Sequence, residues 1–374
     1  MADEKQKEKE ELTGVQAEIK RIEDEIAKTK YNKHTQGHIG KLKAKLANLR
    51  EKQQSQSGGA HGYGYGLKKS GDATILMVGF PSVGKSTLLN AVTNANSKVA
   101  AYDFTTIDVI PGVLEYNGAH IQVLDLPGLI EGASSGAGRG KEVIAVARNA
   151  DLVLLIAKAP AAEKELEIMR KELGNANFRL DLFPPEIKIT KKSFGGISVD
   201  STKALKNINK SVIKSVLEEF RILNADVLMR EDPDIDRFID SLKTNRVYVP
   251  SLVVVTKCDS VDAKRLEEIR KNLKDAVLIS APQKIGLDSF REKVWEKLGL
   301  MRVYLKKVGK APDMEEPMIM KRGSTVNYAA GKIFRAWGGN LKYARVWGPS
   351  AKFEGQSLGG EHKLKDGDVV EMHV

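Results

Sequence analysis

The chain has 374 residues, 41% apolar and 29% charged, with a formal net charge of +11. That is enough for two or three domains with full cores, and the longest central apolar run, "LVLLIA" at 152–157, is far short of the ~20 residues of a membrane helix. The start "MADEKQKEKEELTG" is too charged for a signal peptide, and a single cysteine, Cys258, excludes an internal disulfide. These features lead us to expect a cytoplasmic protein with no membrane partner.

Residues 1–57 read as a helical hairpin. Leu12, Val15, Ile19, Ile22 and Ile26 recur at three- and four-residue steps, as do Ile39, Leu42, Leu46 and Leu49, and "YNKHTQGHIG" breaks the two runs. Within 28–52 there are eight Lys or Arg against one acid, Glu51, a bias that suits a polyanionic partner, above all RNA. A glycine-rich linker over 55–72 carries Tyr63 and Tyr65. An α/β domain then runs over 58–300, linker included. It opens with the strand "ATILMVGF" (73–80) and continues with a hairpin over 112–126 turning at Asn117-Gly118. Further strands are expected at 151–156, 252–256 and 276–280, with a closing helix over 288–299. The stretch between Gly128 and Thr256 is too long for a compact alternating fold, so an inserted α/β subdomain is expected over about 165–246. Its strands lie in "LDLFPPEIKITKKSFGGISV" and an amphipathic helix in "TKALKNINKSVIKSVLEEF". Residues 301–374 read as a small mixed α+β domain with one helix near 324–334 and a net charge of +5.

Four motifs carry the chemistry. "GFPSVGKST" (79–87) has the G-x-x-x-x-G-K-[ST] pattern between a strand and a helix, where backbone N–H groups of a glycine-rich loop cradle phosphates. Pro81, Ser82, Val83, Gly84, Lys85, Ser86 and Thr87 would line the phosphates. In that pattern Lys85 neutralises the β- and γ-phosphates and the Ser86 hydroxyl ligates Mg²⁺. Asp125 ends the strand "IQVLDL" and can hold Mg²⁺ through water, and Gly128 completes an Asp-x-x-Gly. In "VVVTKCD" (253–259), Thr256, Lys257 and Asp259 follow a strand, and Asp259 can accept from guanine's N1–H and N2–H₂, which adenine lacks. In "LISAP" (278–282), with Ser280, Ala281 and Pro282, the Ala281 N–H can donate to guanine O6. The residue after Gly128, where a glutamine would orient the attacking water, is Leu129.

On these motifs, on "YDFTTIDVIPGVLEYNGAHIQVLDLPGLIEGASSGAGRGKEV" and on the ending "EHKLKDGDVVEMHV", the chain resembles the Drg (developmentally regulated GTP-binding protein) group of the Obg superfamily of GTPases, of archaeal type. The resemblance spans nearly the whole sequence. It implies an N-terminal helix-turn-helix, a Ras-like P-loop GTPase domain with an inserted α/β subdomain, and a C-terminal TGS domain of β-grasp fold. It implies an Mg²⁺-dependent GTPase associated with the ribosome or RNA, which would engage the basic hairpin and the TGS domain. A separate regulatory protein is implied as well. It makes "FTTIDVIPG" the first switch, with Thr106 closing on Mg²⁺ and the γ-phosphate and Thr105 as the alternative. Lys85, Thr106 and Gly128 are then the catalytic set, and Ser86, Thr106 and Asp125 the metal set. Two departures stand out. Thr256 replaces the usual Asn, which puts its tie to the phosphate loop in question. Ser82 stands where potassium-activated relatives carry Asn, which puts a bound K⁺ in question. A hydrophobic residue at 129 also occurs in the group, so slow hydrolysis is expected; the alternative is an RNA- or ribosome-binding adaptor holding GTP with negligible turnover.

Overall fold

The computed structural model describes residues 2–30, 32, 35–56, 71–93, 110–125, 148–334 and 341–373. They fall into two compact units, one combining the N-terminal helices with 174–248, the other containing 71–125, 148–173 and 249–373. Residues 57–70 of the anticipated linker, 104–109 of the first switch and the segment from 126 to 147 lie outside the described residues, while the end of the first switch, 110–112, begins a strand.

The second unit is built on a six-stranded sheet. In spatial order its strands are Val277–Leu278, Ser251–Thr256, Leu152–Lys158, Ala73–Gly79, Ala119–Asp125 and Ile110–Tyr116. All neighbours run parallel except the edge strand 110–116, which is antiparallel to 119–125. The 73–79 and 152–158 strands are near-continuous apolar runs buried almost throughout, as strands covered on both faces must be. The edge hairpin closes at Asn117 and Gly118, both with positive φ (51° and 77°), the backbone that a two-residue turn of matching twist requires. The register pairs Met77 with Asp125, Gly79 with Ile156 and Thr256 with Lys158. Four strands therefore end along one edge of the sheet, the place where parallel α/β folds hold ligands.

The same unit carries a five-stranded mixed sheet over 300–373. Leu300–Lys306 pairs parallel with the final strand Asp368–His373, and the remaining neighbours are antiparallel. Helix Val326–Phe334 contributes Val326 and Ala329 to a core with Met301, Val303, Ala344, Val346 and Val370. This is the small mixed α+β domain expected from the sequence, in the β-grasp arrangement that the resemblance implied.

In the first unit, helices Ala2–Lys28 and Gln36–Gln56 form the hairpin. The second is not a simple two-faced helix. One side meets the first helix, and another meets helices Lys210–Glu219 and Ile235–Ser241 above the three-stranded sheet 187–191, 225–229 and 197–201. Ala44 lies fully inside that core with Val212, Ile213, Val216 and Phe238. A Cβ on Gly40 would come within 3.0 Å of Val212 and 3.3 Å of Val216, so the glycine lets the helices approach. The helix expected from "TKALKNINKSVIKSVLEEF" starts later than its apolar pattern suggests. Asn209 caps it by accepting from the Val212 N–H at 2.9 Å, and such a cap competes with any helical conformation before it.

Candidate functional site

The turn after the 73–79 strand is shaped by backbone constraints. A Cβ on Gly79 would stand 2.7 Å from the Ile156 carbonyl and 2.9 Å from Val83, so strand and turn touch there. Ser82 and Gly84 both take positive φ (59° and 96°), and Gly84 leads directly into helix Lys85–Val92. The first-turn N–H groups of that helix face the loop without intrahelical acceptors, and the helix dipole favours negative charge there. Lys85 Nζ is drawn over the loop, donating to the carbonyls of Gly79 (2.8 Å) and Phe80 (3.0 Å). Pro81, Ser82, Ser86 and Thr87 are exposed and Val83 is buried.

Asp125 reaches the same loop from the end of its strand. Its carboxylate is 5% exposed. Oδ2 accepts from Ser86 Oγ at 3.5 Å, while Oδ1 is buried with no hydrogen-bond partner among the described residues. Burial pushes this carboxyl above its ordinary range, against the pull of Lys85 and Ser86. An orphaned, desolvated carboxylate oxygen beside a hydroxyl is an environment that a hard divalent cation relieves. The donor set fits Mg²⁺, with Ser86 and Asp125 as the residues to hold it.

Thr256, at the end of the next-but-one strand, is 5% exposed, and its Oγ1 donates to the Val83 carbonyl of the loop at 2.6 Å, with Ala157 O a second acceptor at 3.2 Å. The tie between base motif and phosphate loop is thus present, made by the Thr256 hydroxyl. Lys257 takes a left-handed φ of 56°, which turns the chain off the strand and leaves Lys257 and Asp259 exposed. The Asp259 carboxyl is held below its ordinary range, first by the nearby Ser280 hydroxyl and then by its own backbone N–H. Among the described residues Ser280 Oγ, though buried, meets no partner within hydrogen-bond geometry.

Ser280, Ala281 and Pro282 are brought alongside by the sheet, through Ile279 N–H to Val255 O (2.8 Å) and Cys258 N–H to Ile279 O (3.3 Å). Sequence reasoning missed what fixes this loop. Ser280 and Ile285 exchange both backbone hydrogen bonds (3.2 and 3.0 Å), and Gly286 at φ 76° passes so near the Leu278 carbonyl that a Cβ would sit 2.1 Å from it. The signal was a glycine placed directly before the closing helix. The phosphate-loop, Asp125, Thr256–Asp259 and 280–282 groups therefore share one sheet edge; Thr105, Thr106, Gly128 and Leu129 lie outside the described residues.

Comparison with known proteins matches this layout in chain order. A family described as a 50S ribosome-binding GTPase matches residues 74–182, the C-terminal region of the same domain matches 194–300, and the TGS domain matches 301–374. A GTP-binding protein of Methanocaldococcus jannaschii is 53% identical over 97% of this chain and 94% of its own. One from Halobacterium salinarum is 45% identical over 96% and 99%. Human developmentally-regulated GTP-binding protein 2 is 42% identical, again over 96% of this chain and 99% of its own. With such identity sustained from the first helix to the last strand, the chain belongs to the family of developmentally regulated GTP-binding proteins, P-loop GTPases with a C-terminal TGS domain.

Proposed function

We propose that this protein is an Mg²⁺-dependent GTPase that hydrolyses GTP slowly to GDP and phosphate and works as a switch on ribosomes or RNA in the cytoplasm. The observation that carries the reading is the orphaned Asp125 Oδ1 facing the phosphate loop, with Ser86 beside it. Ser86, Asp125 and the switch Thr106 would hold the metal, which when bound neutralises charge developing on the phosphates. Lys85 and the N–H groups from Ser82 to Thr87 would position the phosphate chain, and the Gly128 N–H would meet the γ-phosphate. Asp259, with Lys257 over the base and Ser280, Ala281 and Pro282 around O6, would select guanine. In this reading the protein divides into a hairpin over 1–57, a GTPase domain over 58–300 with an insert at about 165–246, and a TGS domain over 301–374. The basic hairpin and the TGS domain would supply the RNA contacts, with a regulatory protein as further partner.

Phosphoryl transfer depends mostly on positioning and charge neutralisation, so Leu129 does not preclude turnover. Five glycines within 128–140 make ordering of that segment entropically costly, which supports acceleration by a bound partner. The second reading, an adaptor with GTP held structurally, rests on Leu129 alone. Multiple-turnover phosphate release separates them, measured with and without Mg²⁺ and ribosomes, in K⁺ and in Na⁺. Slow turnover that requires Mg²⁺ and rises with ribosomes is expected. Tight GTP binding with no turnover under any of these conditions would leave the adaptor.

A further inference from the structure

The unit that joins the N-terminal helices to residues 174–248 has a cleft of about 90 Å³, several times the space one water requires. Lys43 and Arg50 of helix 36–56 line it from one side, and Arg179, Asp240 and Arg246 from the other. Arg179 forks onto Asp240 through Nε (2.5 Å) and Nη2 (2.8 Å) and gives Nη1 to the Gly174 and Phe178 carbonyls (both 3.0 Å). Arg246 gives Nε to the same carboxylate at 2.6 Å and Nη1 to Asn177 and Asn245. Arg246 Nη2 donates to none of the described residues, although the side chain is only 8% exposed.

One buried carboxylate therefore serves two guanidiniums. Burial pushes the Arg246 guanidinium below its ordinary range, and the like charge of Arg179 works in the same direction against Asp240. At the rim, Lys43 is paired with Asp236 at 2.5 Å, and Arg50 uses one nitrogen on Glu23 at 2.6 Å. The lining holds four cations against two carboxylates, Asp236 and Asp240. A buried cation without full compensation is costly. Guanidinium forks approaching from opposite walls match an anion with acceptors in more than one plane, as a tetrahedral phosphate has and a planar carboxylate does not. With Glu23 on Arg50 counted as well, the cleft keeps a surplus of one positive charge, the one left by two guanidiniums on Asp240, and it favours an anion.

We propose that this cleft is a binding site for a phosphate group, either the free ion or a nucleoside monophosphate, gripped by Arg246 and Arg50. Its residues belong to a different unit from the GTP site, so the two are tested separately. Full-length protein saturated with GDP is titrated calorimetrically with inorganic phosphate, with adenosine 5′-monophosphate and with adenosine. Both phosphate ligands should bind with Kd of about 1 mM or tighter, and adenosine should not bind. Phosphate binding as tightly as the nucleotide assigns the free ion, and tighter nucleotide binding assigns the monoester. Arg246→Lys and Arg50→Gln should each raise Kd about tenfold or more, whereas Lys192→Gln, the same charge change elsewhere in the unit, should leave it unchanged. Arg50 is partly exposed, so Arg50→Gln decides the matter if Arg246→Lys does not fold. No phosphate binding at ~10 mM, equal binding of adenosine, or unchanged affinity in Arg50→Gln would overturn the proposal.

Discussion

Thr256→Val isolates the tie between the base motif and the phosphate loop. The substitution keeps the branched shape and suits a strand, but it removes the hydroxyl that donates to Val83 O at 2.6 Å from a site 5% exposed. The loss combines a net hydrogen bond with a carbonyl left unsatisfied away from water, about 1–3 kcal/mol. Val83 sits between Ser82 and Gly84, the two positive-φ positions of the loop, so its release loosens the conformation that must meet the phosphates. If most of that energy holds the loop in its binding form, GDP affinity should fall roughly fivefold to 150-fold. Equilibrium titration with a fluorescent GDP analogue reads the affinity, and thermal unfolding without nucleotide reads the cost to the fold. A valine variant that binds GDP within about twofold of the parent and melts at the same temperature would refute the reasoning.

Four further outcomes follow from the same geometry. Gly79→Ala should destabilise by about 1–3 kcal/mol, since its Cβ meets a backbone carbonyl at 2.7 Å; chemical denaturation measures it, and a neutral result would mean the strands slide apart freely. Asp259→Asn should move preference from guanine to xanthine nucleotides at a cost to GTP of roughly 2–5 kcal/mol, read by competition binding, with unchanged guanine preference as the contrary result. Tyr248 Oη is buried without a partner among the described residues, so Tyr248→Phe should change unfolding free energy by less than about 0.5 kcal/mol, and a clear loss would reveal a hydrogen bond to that hydroxyl. Arg302 holds the Asp366 carboxyl below its ordinary value of 3.8. A depressed folded pKa means the pair stabilises above pH 3.8 and is lost as pH falls through the folded value, so the penalty of Asp366→Asn in denaturation should vanish in acid; a penalty constant to below pH 3 would contradict this.

The legible parts of the molecule were those whose cause is local. Leu152–Lys158 was expected at 151–156 because a short apolar run bounded by polar residues suits a buried strand, and the edge hairpin followed from Asn117-Gly118. The site segments were legible because phosphate loops need glycines at fixed spacing, and that spacing survives in sequence. What was not legible depends on residues far apart. The Thr256–Val83 bond spans 173 positions, and nothing around Thr256 announces an acceptor. Helix 36–56 looked like half of a free-standing hairpin because its small residues, Gly40 and Ala44, carry no apolar signal; their value lies in close contact with Val212 and Val216. The cleft with Asp240 between two arginines was invisible for a similar reason: Arg179 and Arg246 read as ordinary surface charge until the fold draws both onto one buried carboxylate.

The burial of helix 36–56 against residues 210–241 has a consequence for synthesis. The hairpin emerges from the ribosome first, yet its second helix cannot complete its contacts until Val212, Val216 and Phe238 have also emerged. At a translation rate of ~5–20 residues per second, that wait is roughly ten to forty seconds. During it a basic, half-finished hairpin waits beside the RNA-rich surface it has just left. The intervening segment, including the whole first half of the nucleotide site, is extruded while its neighbour is still incomplete. Nascent chains stalled before residue 210 should therefore leave the hairpin open to protease and to chaperones, and those stalled well past residue 241 should close it.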